Sequence, residues 1–109
     1  MIDDILEKLD PRLRKLLGTG SDFRIERQPL PSASLTKALG GGLGYGRQVL
    51  LYGSKSAGKS TILLQMIGVA QKEGRTAAWI DSEDSFDPEW ARRLGVDTDS
   101  ILVVNTKKI

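Results

Sequence analysis

The stretch with the clearest capacity for chemistry is Gly53-Ser54-Lys55-Ser56-Ala57-Gly58-Lys59-Ser60-Thr61. It fits the spacing G-x-x-x-x-G-K-[ST], the Walker A or P-loop pattern, at every fixed position. Gly53 and Gly58 permit backbone angles that a β-carbon opposes, so successive N–H groups can converge on phosphate oxygens. A helix opening near Gly58 adds the partial positive charge of its N-terminus and its unpaired donors. Lys59 would reach the β- and γ-phosphates of a nucleoside triphosphate, and the Ser60 hydroxyl would ligate Mg2+. Thr61 follows on the same helix. The alternative is a Gly/Ser-rich turn that matches by chance, which average residue usage puts at roughly a few in a thousand for a chain of this size.

The flanking residues supply the elements such a loop needs. Val49-Leu50-Leu51-Tyr52 before it reads as a strand, and Ile62, Leu63, Met66, Ile67 and Ala70 after it repeat at helical spacing as a core stripe, with Gly74 as the stop. Thr76-Ala77-Ala78-Trp79-Ile80 reads as a buried strand with the acids Asp81, Glu83 and Asp84 at its carboxyl end, the edge at which parallel α/β sheets bind ligands. Asp87 then caps a helix with Pro88 at its first position, Gly95 closes it, and Ile101-Leu102-Val103-Val104 is a third buried strand. Strand, helix, strand, helix, strand predicts a parallel sheet with flanking helices and right-handed crossovers.

Upstream, Ile2, Ile5, Leu6 and Leu9 form one apolar stripe on a short helix, and Asp10-Pro11 restarts a second piece through Leu13, Leu16 and Leu17 until Gly18-Thr19-Gly20 stops it. Helices this short need something to dock on, either their own domain or a neighbouring subunit. Residues 21 to 34 read as an extended linker with one strand around Phe23 to Glu26, and residues 34 to 43 as a short helix ended by glycines.

Composition narrows the chemistry. The 109 residues fit one domain burying about 65% of its unfolded surface. With 16 basic and 14 acidic side chains the net charge is +2, which does not by itself argue for a nucleic-acid partner. The absence of cysteine removes disulfides and thiolate metal sites, and the absence of histidine removes the commonest general base. Catalysis would rest on carboxylates, lysine and Mg2+. No apolar run approaches a membrane span, and the acidic start Met1-Ile2-Asp3-Asp4 is unlike a signal peptide, so a cytoplasmic protein without membrane contact is expected.

From about residue 30 to 104 the chain resembles the RecA recombinases of bacteria and phages. The resemblance is carried by Ser34-Leu35, Ala38-Leu39-Gly40-Gly41-Gly42-Leu43, Gly46-Arg47, Leu51-Tyr52-Gly53 and Gly58-Lys59-Ser60-Thr61. It continues through Leu64-Gln65, Ala70-Gln71, Glu73-Gly74, Ile80-Asp81, Glu83, Asp87-Pro88, Ala91-Arg92 and Leu94-Gly95-Val96-Asp97. It implies a RecA-like P-loop NTPase core that binds ATP with Mg2+ and, as a filament on single-stranded DNA, supports homologous recombination and repair. It also implies that Glu83 polarises the attacking water, and that Asp87 and Trp90 contact the adenine by hydrogen bonding and stacking. For Glu83 the plainer alternative is a solvated acid after a strand, and for Asp87 a helix cap, a use compatible with the first.

Thr36 stands where the family's Ser-Leu-Asp pattern has an acid, and Lys55 where bacterial members commonly carry glutamate; the added positive charge of Lys55 points towards a phage-type member. The chain ends before the strand that carries the family's second Mg2+-binding aspartate and before its DNA-holding loops. An incomplete core is therefore expected, from an N-terminal fragment or truncated gene product, in which residues 1 to 28 form a helical oligomerisation segment and residues 29 to 109 the N-terminal half of the ATPase core. Family sheet order would put two strands absent here between the P-loop strand and the other two, leaving a large apolar edge open. Two other readings are a RadA-type or helicase-type ATPase, against which residues 81 to 95 argue, and a non-catalytic module that caps or joins a filament.

Overall fold

A computed structural model describes residues 1–108. Among the described residues there are five α-helices, α1 (Ile2–Glu7), α2 (Pro11–Arg14), α3 (Ala33–Ala38), α4 (Lys59–Lys72) and α5 (Pro88–Arg93), and four strands, β1 (Arg27–Gln28), β2 (Leu43–Gly44), β3 (Ala77–Asp81) and β4 (Ile101–Asn105). The strands form two separate pairs, an antiparallel β1–β2 hairpin and a parallel β3–β4 pair in which Ala77 faces Ile101 and Asp81 faces Asn105.

The β3–α5–β4 crossover and α4 enclose the core. Leu64, Ala91 and Val96 are buried there, and Ile67, Trp79, Phe86, Leu94 and Ile101 pack around them. Each helix of this unit ends as its sequence predicts. Past α4, Gly74 takes φ 78° and Arg75 N–H returns to the Ala70 carbonyl at 2.9 Å. Past α5, Gly95 takes φ 98° and Val96 N–H returns to the Ala91 carbonyl at 3.0 Å. Gln71 fastens the two together: its amide donates to the Asp97 carbonyl at 2.9 Å and accepts from Asp97 N–H at 2.8 Å.

The strand expected over Val49 to Tyr52 does not form; Leu50 is 83% and Tyr52 84% exposed. A strand exists only through pairing, and neither β3 nor β4 pairs with this run. Strands β3 and β4 are also less buried than expected. Trp79 and Ile101 face the helices, while Ile80 and Leu102 are exposed on the other face, because α4 and α5 cover one side only. The result is a small mixed α/β unit with a short parallel sheet, not a full P-loop core.

The strand expected near Phe23 to Glu26 lies slightly later, as β1, whose Gln28 amide donates to the Met66 carbonyl on α4 at 2.9 Å. Arg75 lies 3.8 Å over the ring of Tyr45, a second tie between the hairpin region and the end of α4. The N-terminal helices stop earlier than their apolar spacing suggests, and Ile2, Ile5, Leu13, Leu16 and Leu17 are all exposed. The accessible surface of 8808 Å2 exceeds the roughly 6000 Å2 of a compact monomer of this mass, so about half of the unfolded surface is buried rather than two thirds. The radius of gyration, 19.4 Å, likewise exceeds the compact value of about 13 Å.

Candidate functional site

The loop from Gly53 to Gly58 leads into α4 through a left-handed turn. Gly58, the residue before the helix, has φ 95°, a conformation that glycine adopts without steric cost, and no side chain caps the helix. The other left-handed residue of the loop is Ser56, at φ 63°, and Gly53 is not among the positive-φ positions. The loop's unusual backbone angle therefore falls on Ser56 rather than on Gly53. Ala57 N–H closes a turn on the Ser54 carbonyl at 3.2 Å.

Lys59 folds back over this loop. Its ammonium donates to the carbonyls of Gly53 at 2.9 Å and Ser54 at 2.7 Å, so the charge sits above the loop next to the helix start. A cavity of about 720 Å3 opens there, lined by Lys55, Ser56, Gly58, Lys59, Ser60, Thr61 and Glu83. The structure thus brings Glu83, more than twenty residues away in sequence, to the same cavity as the P-loop residues.

Asp87 and Trp90 do not line that cavity. The Asp87 carboxylate caps α5, accepting from Glu89 N–H at 3.0 Å and Trp90 N–H at 3.2 Å, and Trp90 is 43% exposed on the first turns of that helix. Thr36 caps locally as well: its hydroxyl accepts from Leu30 N–H and donates to the Ser32 carbonyl, both at 2.8 Å.

The residue that sequence reasoning left without a role is Asp81. It ends β3, is only 4% exposed, and its carboxylate accepts from the backbone N–H groups of Phe86 at 2.8 Å, Ser85 at 2.9 Å and Glu83 at 3.0 Å. The Phe86 N–H bond contributes most to holding its carboxyl below the usual carboxylate range; burial opposes the shift, and the other bonds add to it. A signal was available, since an aspartate followed by short polar residues is an Asx-turn former whose side chain bonds the backbone two residues on.

The family described as RecA N-terminal domain matches residues 4–108. The chain belongs to the RecA family. It is 48% identical over 101 residues to Protein RecA of Cutibacterium acnes, covering 84% of this chain and 29% of that protein. It is 46% identical over 101 residues to Protein RecA of Bifidobacterium longum, covering 84% of this chain and 25% of that protein. Against Protein RecA of Bifidobacterium breve it is 42% identical over 120 residues, with 92% and 31% covered. The chain thus spans less than a third of the length of these RecA relatives.

Among the described residues, no group of acids, histidines or cysteines is placed to hold a metal by itself, and no helix is long and apolar enough to cross a membrane. A divalent cation at this site would need oxygens from a bound phosphate in addition to the Ser60 hydroxyl.

Proposed function

We propose that this chain is the nucleotide-binding N-terminal part of a RecA-type, DNA-dependent ATPase and recombinase. ATP lies with its phosphates on residues 53 to 61, held by backbone N–H groups, the α4 N-terminus and the Lys59 ammonium. The Ser60 hydroxyl would hold Mg2+ together with phosphate oxygens, and the ion would supply neutralisation of phosphate charge. Glu83 accepts the proton of the attacking water, the task a carboxylate can perform in a chain without histidine. Asp87 and Trp90 meet the adenine. In a filament on single-stranded DNA, residues 1 to 28 pack on a neighbouring subunit. Lys55 keeps a phage-type member within this reading, although the relatives compared are bacterial.

The observation that carries the reading is the shared cavity, lined by one carboxylate residue (Glu83), two lysines (Lys55 and Lys59) and three hydroxyl residues (Ser56, Ser60 and Thr61) beside an uncapped helix N-terminus. The uncapped helix and the left-handed Gly58 fit a phosphate, because no side chain competes for the N–H donors at the start of α4. The test is titration of the chain with ATP and with inorganic triphosphate in the presence of Mg2+. Lys59→Ala removes a charge-assisted contact and is expected to weaken both ligands by roughly 30-fold or more. Equal affinity in wild type and Lys59→Ala overturns the reading.

A second reading, a non-catalytic module that joins or caps a filament, is favoured by the exposed stripe Ile2, Ile5, Leu13, Leu16 and Leu17. It predicts that deleting residues 1 to 28 abolishes association with a full-length RecA while leaving nucleotide binding intact.

A further inference from the structure

The loop that carries Glu83 has almost no backbone hydrogen bonding of its own, yet it is fastened at several points. Asp81 receives three of its N–H groups and, more weakly, the Ser85 hydroxyl at 3.4 Å. From the end of β4, the Asn105 side-chain amide donates to the Asp84 carboxylate, and just past that strand the Thr106 hydroxyl donates to the Asp81 carbonyl at 3.4 Å. Asp84 sits at φ 57°, a left-handed conformation that a short polar side chain tolerates and that reverses the chain directly after Glu83.

We propose that Asp81 is a positioning residue: its buried carboxylate gathers the N–H groups of Glu83, Ser85 and Phe86 and thereby holds the Glu83 side chain over the P-loop cavity. The inference rests on the reading of Glu83 as the water-polarising group. Asp81 itself does not line that cavity and touches no reacting atom; it acts through Glu83. A carboxylate suits this task better than its amide. Ionised, it is an acceptor at every lone pair and meets convergent donors without a mismatch, whereas an asparagine would turn its NH2 group against one of them. Because Asp81 is also the last residue of β3, paired with Asn105, the sheet fixes where this anchor stands.

The test uses the 109-residue chain, isotopically labelled for amide spectroscopy. In wild type the amides of Glu83, Ser85 and Phe86 are expected to exchange with solvent roughly 10- to 100-fold more slowly than exposed loop amides, the equivalent of a charge-assisted hydrogen bond. On adding Mn2+ with ATP, the paramagnetic ion should broaden the Glu83 and Ser60 amide signals together. In Asp81→Asn the slow exchange should be lost, and the broadening should remain at Ser60 but fall at Glu83. Unchanged broadening at Glu83 in Asp81→Asn overturns the proposal. If that variant loses the core signals of Leu64, Ala91 and Val96, the wild-type exchange decides: protection of the three amides supports the anchor, and free exchange refutes it. If Mn2+ with ATP broadens neither Ser60 nor Glu83, the nucleotide reading is what fails, and the exchange measurement still judges the anchor.

Discussion

Two apolar runs of similar composition meet opposite fates in this molecule. Val49-Leu50-Leu51-Tyr52 and Ala77-Ala78-Trp79-Ile80 both precede a turn rich in functional side chains, and both read as strands. Only the second becomes one, because β4 supplies a parallel partner in register and α4 with α5 covers one face. The first stays exposed, without a strand partner, from Val49 through Tyr52. The difference teaches that strand propensity is a statement about available neighbours as much as about residues. It also shapes the candidate site, whose P-loop is held from the α4 side alone while the Glu83 loop is held by a sheet.

The comparison can be broken by mutating one leucine of the core under β3 and one of the unpaired run. Leu64 is 4% exposed, and Leu64→Ala is expected to cost about 2–5 kcal/mol by lost burial and the cavity left behind. Leu50→Ala, at 83% exposure, is expected to change stability by no more than about 0.5 kcal/mol. Denaturant unfolding measures both, and equal losses would mean that Val49 to Tyr52 is packed in solution. A smaller effect comes from Gly68. An added Cβ there would stand 2.8 Å from the Gly95 carbonyl oxygen, so Gly68→Ala is expected to destabilise by about 1–3 kcal/mol through overpacking. Helix propensity alone would make the same change stabilising by about 1 kcal/mol, so the sign of the measured shift decides whether α4 and the end of α5 are in contact.

These cases mark what was legible in the sequence. The end of α4 at Gly74, the Asp87-Pro88 start of α5 and its end at Gly95 depend on residues within one turn, and the structure has them where local rules put them. The Val49 to Tyr52 strand depends on partners distant in sequence, which no local rule supplies. At the site, the P-loop spacing pointed to the cavity, but the assignment of Glu83 came from family resemblance. The left-handed conformation of Ser56 had no signature of its own, whereas the three backbone bonds of Asp81 had one, an aspartate ahead of short polar residues, that reading the segment as a strand end passed over.

A third expectation concerns acid. The Asp81 carboxyl is held below its ordinary value in the folded chain, chiefly by the Phe86 N–H. Its contribution to stability is therefore fully present above the unfolded aspartate value of about 3.9 and is lost as pH falls through the lower folded value. Unfolding followed from neutral pH downwards should show a difference between wild type and Asp81→Asn that is largest at neutral pH and narrows below pH 4, roughly where an unfolded aspartate takes up its proton. A difference that stays constant across this range would mean that the ionised carboxylate is not what fastens the loop.

The smallest effect sharpens the comparison inside the better-packed unit itself, where two tryptophans occupy unlike positions. Trp79 packs in the core against Phe86, with ring centroids 5.9 Å apart, whereas Trp90 is 43% exposed on α5. If Trp90 stacks on adenine, Trp90→Ala should weaken ATP by about fivefold, the worth of one stacked aromatic contact, and leave inorganic triphosphate unaffected. Lys59→Ala, by contrast, should weaken both. Tryptophan emission in the same titration separates the two rings: Trp79→Phe should keep the response to ATP, since the remaining indole is the one exposed to ligand, and Trp90→Ala should lose it. A response that survives in Trp90→Ala and vanishes in Trp79→Phe would place the adenine elsewhere, while a Lys59 effect of the expected size would still leave the phosphates on the loop.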